Sequence, residues 1–177
     1  MRINYRTSHQ IRRQADRLLP PALADVDGNE EDRRNTISVF NGPPPTIRAC
    51  EDKADETRVV ATWIAEHRSS GIVPEEIGVF VRSEAQLPRA LAAIAMAGET
   101  ASELDDQVAS LDGCIAVSTM HLAKGLEFRA VVVMACDDEV IPLQSRVEEI
   151  SDESDLEEVY NTERHLLYVA CTRAREQ

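Results

Sequence analysis

Ser118-Thr119-Met120-His121-Leu122-Ala123-Lys124-Gly125-Leu126-Glu127-Phe128 runs, one residue later, into the apolar segment Ala130-Val131-Val132-Val133-Met134. A run with no polar alternation reads as a strand covered on both faces, the pattern of a parallel sheet between helices. In such sheets ligands lie at the loops beyond strand ends. His121, Lys124 and Glu127 therefore read as a functional loop or short helix laid across a sheet edge. The alternative is an amphipathic turn whose charges face water.

Working outward, Cys114 to Val117 reads as the strand that delivers this stretch, Ala130 to Ala135 as the strand after it, and Ile77 to Val81 as another buried strand. Before Ile77 the spacing predicts a helix over 55–68, with Val59, Val60, Trp63 and Ile64 on one face. A second is predicted over 85–97, carrying Leu87, Leu91, Ile94 and Ala95. Strand, helix, strand with short links is an α/β order. Upstream, Ile3 to Arg6 reads as a strand end. Thr7 or Ser8 caps a helix that carries Ile11, Ala15, Leu18 and Leu19 and stops at Pro20-Pro21. Asp25 to Asn35 is expected as a loop, Ile37 to Phe40 and Ile47 to Cys50 as short strands around the rigid Gly42 to Pro45 link. Thr100 to Asp112 is expected as a loop or short helix, and Ser145 to Glu158 as an exposed acidic connection. The last helix is predicted over 156–173, with a stripe of Leu156, Tyr160, Glu163, Leu167 and Ala170. Glu163 interrupts that stripe, so it lies at its margin or is partnered, for instance by an Arg. A buried helix normally returns to its sheet, and no residues remain for that strand. The chain is therefore expected to be cut short at both ends and to lack its last strand.

At 177 residues the chain is long enough for one domain with one core. A net charge of -13 argues against a protein that is basic overall, so DNA contact needs a local patch or a second domain. No apolar run approaches the roughly 20 residues of a membrane span. The first ten residues, MRINYRTSHQ, lack a signal peptide's apolar segment. Cys50, Cys114, Cys136 and Cys171 are scattered, as reduced core cysteines of a cytoplasmic protein would be. Asp137-Asp138-Glu139 beyond a strand end can hold a magnesium ion. Solvated loop carboxylates are the favoured reading, and no metal site is assigned.

The chain holds no G-x-x-x-x-G-K-[ST] loop, no G-x-G-x-x-G, no G-x-S-x-G and no H-E-x-x-H. What stands after successive strands is Arg6, Arg82, His121, Lys124 and Glu127, with Arg173 on the last helix. Arginines at one sheet edge suit phosphate, because the guanidinium fork pairs with two oxygens and stays charged. Such arginines without a phosphate loop read as the half of a nucleotide site that supplies arginine fingers to another domain.

Four segments carry a family resemblance: Asn4-Tyr5-Arg6-Thr7-Ser8, IGVFVRSEAQLPR from Ile77 to Arg89, TMHLAKGLEF from Thr119 to Phe128, and ERHLLYVACTRAR from Glu163 to Arg175. In this order they resemble the motifs of the second RecA-like domain of UvrD/Rep-type helicases of superfamily one. The resemblance implies an α/β, RecA-like parallel sheet flanked by helices over residues 1–177. The inserted accessory domain is absent, with only Thr100 to Gly113 in its place. It implies that Arg6 and Arg173 reach the γ-phosphate of ATP, whose phosphates and Mg2+ are held mainly by a separate phosphate-loop domain in cis or in trans. It further implies that Glu127 binds the ribose hydroxyl, and that Arg82, Thr119 and His121 touch phosphates of single-stranded DNA. Lys124 falls between the two sites without an assigned role. Glu84 stands where the family has Asn, and an acid there would repel a DNA phosphate. The implied activity is that of the C-terminal motor domain of an ATP-dependent 3′-to-5′ DNA helicase, inactive alone. The alternative is a helicase-derived module that binds DNA or protein without catalysis. Locally, Arg6 also reads as a surface ion-pair partner, Arg173 as a helix C-terminal cation, and Tyr168 as a core residue rather than a stacking platform.

Overall fold

The computed structural model describes residues 2–4, 7–19, 22–24, 30–32, 36–39, 41–104, 112–148, 150 and 152–177. The strands are β1 (Arg2–Asn4), β2 (Ala22–Ala24), β3 (Glu30–Asp32), β4 (Thr36–Ser38), β5 (Ile77–Val81), β6 (Ala101–Glu103), β7 (Ile115–Thr119) and β8 (Ala130–Val133). The α-helices are α1 (His9–Ala15), α2 (Lys53–Ser69), α3 (Leu87–Met96), α4 (Gln144–Glu148) and α5 (Glu153–Cys171).

The sheet that carries the core is parallel throughout, in the order β6-β7-β5-β8. β5 is central and buried along its whole length. Alternation along it feeds two cores. Ile77, Val79 and Val81 pack with Val60 and Ile64 of α2 and Ala90, Ala93 and Ile94 of α3. Phe80 packs on the other face with Met120, Ala123, Phe128 and Ala170, the last from α5. Helices thus cover both faces, as an apolar strand without alternation requires. β8 is less enclosed: Val131, Val132 and Val133 are only half-buried, because β8 ends the β6-β7-β5-β8 order.

Two smaller pairs stand apart: β1 with β4, parallel, and β2 with β3, antiparallel. Ser8 caps α1 by accepting the Ile11 N–H, and α1 tightens into a 3-10 turn over Asp16–Leu18.

Several expectations are corrected. Glu30–Asp32 form a strand rather than a loop, since strand pairing uses backbone groups and needs no apolar pattern. The same reason hides β6, found where a loop or short helix was expected: its Ala-Ser-Glu carries no pattern, yet it pairs along β7. Residues 41–50 form no strand, and Ile47 is 73% exposed. Three successive prolines remove the N–H donors a ladder would use. The acidic connection contains α4 and the first turn of α5, where the Asp152 carboxylate caps the N–H groups of Ser154 and Asp155. Acids at a helix start favour the helix dipole. On α5, Val159 takes the buried position that Tyr160 was expected to hold, and Tyr160 is 40% exposed. A strand-like return does follow α5. Ala174 bridges Phe128 in parallel, and the Val131 N–H donates to the Gln177 carbonyl at 2.9 Å.

Candidate functional site

Three of the four motif segments meet where α5 ends. The buried Thr7 hydroxyl donates to the Thr172 carbonyl at 3.0 Å. The Ser8 N–H donates to the Arg175 carbonyl at 3.0 Å, and the Phe128 N–H to the Arg173 carbonyl at 3.0 Å. The Arg175 N–H returns a bond to the Phe128 carbonyl at 2.9 Å. The entry to α1, the loop before β8 and the exit of α5 are therefore joined mainly through backbone. Gly42 lies over this junction. A Cβ there would stand 2.9 Å from the Glu176 carbonyl oxygen and 3.0 Å from Ser8 Cβ.

Arg173 is half-buried on this rim. Its Nε donates to the Val169 carbonyl at 3.0 Å, so part of the guanidinium serves as the helix C-terminal cation. Its Nη1 reaches the Leu126 carbonyl at 3.4 Å, beside Glu127. Glu127 is exposed on a loop that reverses at Gly125, whose φ of 89° favours glycine. Phe128 anchors that loop. Its ring meets Phe80 edge-on with centroids 5.9 Å apart. It lies so close over β5 that a Cβ on Gly78 would sit 2.7 Å from its Cδ2. Arg173 and the Glu127 loop are thus brought together. Arg6 lies outside the described residues; its neighbours Thr7 and Ser8 are the ones bonded to 172 and 175.

The second cluster sits at the ends of β5 and β7. Arg82 follows β5 and forms a two-pronged ion pair with Glu163 of α5, at 2.5 Å and 2.6 Å. Their side chains are 3% and 2% exposed. The guanidinium expected to meet a DNA phosphate is thus buried and paired with Glu163. The two oxygens of the carboxylate match the guanidinium fork, which keeps the pair tolerable away from water. Thr119 ends β7 half-buried, and His121 follows on a 3-10 turn, exposed. Partial burial, then the positive charge of Arg82, lowers the His121 pKa below 6.5; Glu163 opposes this and Arg146 adds to it. His121 is thus mostly neutral at pH 7, a donor and acceptor rather than a fixed cation. Lys124 is exposed at the turn between the two clusters.

Asp137 is held by Arg89 at 2.5 Å, and that hydrogen bond leads in lowering its pKa. Arg89 also pairs with Glu56 at 2.5 Å, and Glu56 accepts the Ala135 N–H at 2.9 Å. Among the described residues no group of three or more His, Cys, Asp or Glu is placed to hold a metal ion. Nor is any described helix long and apolar enough to cross a membrane. The cysteines are free but none lies in the core as expected: Cys136 is exposed, the other three are half-buried, and burial pushes the Cys171 thiol up to about 11.

The family model described as the UvrD-like helicase C-terminal domain matches residues 84–177, which carry both clusters' share of α5 and the Glu127 loop. The chain belongs to this family. The UvrD-like domain is also similar to three curated proteins. It is 35% identical over 88 residues to the ATP-dependent DNA helicase UvrD1 of Mycobacterium leprae, covering 50% of this chain and 10% of that protein. It is 40% identical over 76 residues to the ATP-dependent DNA helicase PcrA of Leuconostoc citreum, covering 43% and 9%. It is 38% identical over 72 residues to a probable DNA helicase II homolog of Mycoplasma pneumoniae, covering 41% and 9%. The matches thus span about a tenth of these relatives' length. Among solved structures, the C-terminal domain of a possible DNA helicase from Lactobacillus plantarum superposes with a TM-score of 0.61 at 22% identity. It covers 98% of this chain and 83% of that one, a likeness of fold.

Two features of the UvrD-like domain were not read from the letters. Thr7 was read as a possible helix cap, but nothing in the sequence betrays its bond to Thr172. Arg146, 3.8 Å from Glu163, is a lone base in an acidic stretch, and that contrast was the available signal.

Proposed function

We propose that the UvrD-like domain is the C-terminal motor half of an ATP-dependent 3′-to-5′ DNA helicase, completed by a phosphate-loop domain in cis or in trans. The observation that carries this reading is the rim where Thr7-Ser8, Leu126-Glu127-Phe128 and Thr172 to Arg175 are hydrogen-bonded together. A triphosphate presented by the partner domain would meet Arg173, and Arg6 from the segment ending at Thr7. Their guanidinium groups would balance the charge that develops on the transferred phosphoryl oxygens. Glu127, carried on the loop that Arg173 grips, would accept a hydrogen bond from the ribose hydroxyl. Magnesium would accompany the nucleotide on the partner domain. Single-stranded DNA would lie on the other cluster, touching Thr119 and His121, with Arg82 supporting that face from beneath through Glu163.

The test is reconstitution. The chain alone should neither hydrolyse ATP nor unwind DNA. Mixed with a phosphate-loop domain of the family it should gain ATPase activity, and Arg173→Ala should lower that activity by about 10³-fold or more, as expected for an arginine finger. Strong ATPase activity of the purified chain alone, abolished by Arg173→Ala, would overturn the dependence on a second domain.

A further inference from the structure

We propose that Arg146 of α4 is a phosphate-binding side chain of the DNA face, an inference that rests on the reading of that face as the path of single-stranded DNA. The argument is one of charge balance. Glu163 is the sole acid among the described residues in ion-pair reach of Arg82 or Arg146. Both of its oxygens are taken by Arg82 at 2.5 Å and 2.6 Å. Arg146 approaches the same carboxylate at 3.8 Å, beyond hydrogen-bond distance. Among the described residues, one negative charge thus faces two positive ones within ion-pair reach, and the surplus belongs to Arg146.

The surplus charge is also the accessible one. The Arg146 side chain is 38% exposed, against 3% for Arg82 and 2% for Glu163. A half-exposed pair at that distance is worth little, so the guanidinium gives up little by turning toward another anion. Exposed His121 shares the patch, and Arg146 is among the charges that act on its imidazole. On a chain of net charge -13, a local positive excess beside neutral hydrogen-bonding groups is suited to a phosphodiester backbone. The buried pair beneath fixes α5 and keeps Glu163 from cancelling the cation above it.

The experiment measures fluorescence anisotropy of a labelled oligo-dT with the full 177-residue chain across a salt series. Wild type should bind at low salt with a measurable slope of log affinity against log salt. Arg146→Ala should weaken binding several-fold at low salt and reduce that slope by about 0.7, the value for one phosphate contact on a single strand. Arg146→Lys should keep most of the slope, and Arg164→Ala, an exposed arginine elsewhere on α5, should leave it unchanged. Circular dichroism melts establish that the variants fold. If Arg146→Ala does not, Arg146→Gln, which keeps much of the stem, is read in its place. Wild-type binding with an unchanged slope in the neutral variant overturns the role of Arg146 alone. No salt-sensitive binding by wild type overturns the DNA reading, and the role of Arg146 with it.

Discussion

Glu163 sits in the middle of α5 with 2% of its side chain exposed, and its counterion is what makes that position tenable. Removing Glu163 would strand the Arg82 guanidinium in the interior, and removing Arg82 would do the same to the carboxylate. Glu163→Ala should therefore cost about 3–5 kcal/mol in urea denaturation, whereas the double change Arg82→Leu with Glu163→Leu should recover much of that loss. Equal losses in the single and double variants would mean that side-chain shape, not charge pairing, matters at the site. The apolar stripe of α5 already announced Glu163 as marginal or partnered. Its partner was legible only as a residue type, because a sequence separation of 81 is closed by tertiary structure alone.

At the scale of elements, the loop bearing Glu127 is aimed by packing one strand away. Phe128 lies on β5 where Gly78 leaves room, with a hypothetical Cβ only 2.7 Å from its ring. Gly78→Ala should force the ring outward and cost about 1–3 kcal/mol by overpacking. The chemical shifts of residues 125–129 should move more than those of α2. A neutral change in stability with undisturbed shifts would show that the ring adjusts freely. What was legible at this scale follows from burial. β5, β7, α2, α3 and α5 announced themselves through apolar runs or helical spacing, because each feeds a core on one or both faces. β3 and β6 did not, since Glu-Glu-Asp and Ala-Ser-Glu carry no apolar alternation and their pairing uses backbone groups that the letters do not reveal. The site divides in the same way. Arg173 and the Glu127 loop were placed by motif and order. The burial of Arg82 depended on a carboxylate from a distant helix.

For the molecule as a whole, one side chain ties two helices of one layer to the segment after β8. Arg89 of α3 pairs with Glu56 of α2 and with Asp137, which follows β8. Because the hydrogen bond from Arg89 holds the Asp137 pKa below 3.8, the folded form binds this proton less readily than the unfolded chain does. The contribution is present above pH 3.8 and is lost as the pH falls through the lowered folded value. The carboxylate side chain is 43% exposed, so solvent screening limits the gain to no more than about 1 kcal/mol. Asp137→Asn should therefore be less stable than wild type near neutrality, and the gap should close at acid pH. A gap that stays constant into strong acid would assign the effect to shape rather than to ionisation.

Gly42 is closed to larger residues for want of room. The start of one helix, a proline-rich crossing and the tail beyond another helix converge there, with no vacancy the size of a methyl group. A spacer atom at that crossing would act as a wedge, prising the opening residues of α1 from the tail that follows α5. The cheapest way to spoil the rim proposed for nucleotide is thus a substitution at a position that carries no chemistry at all.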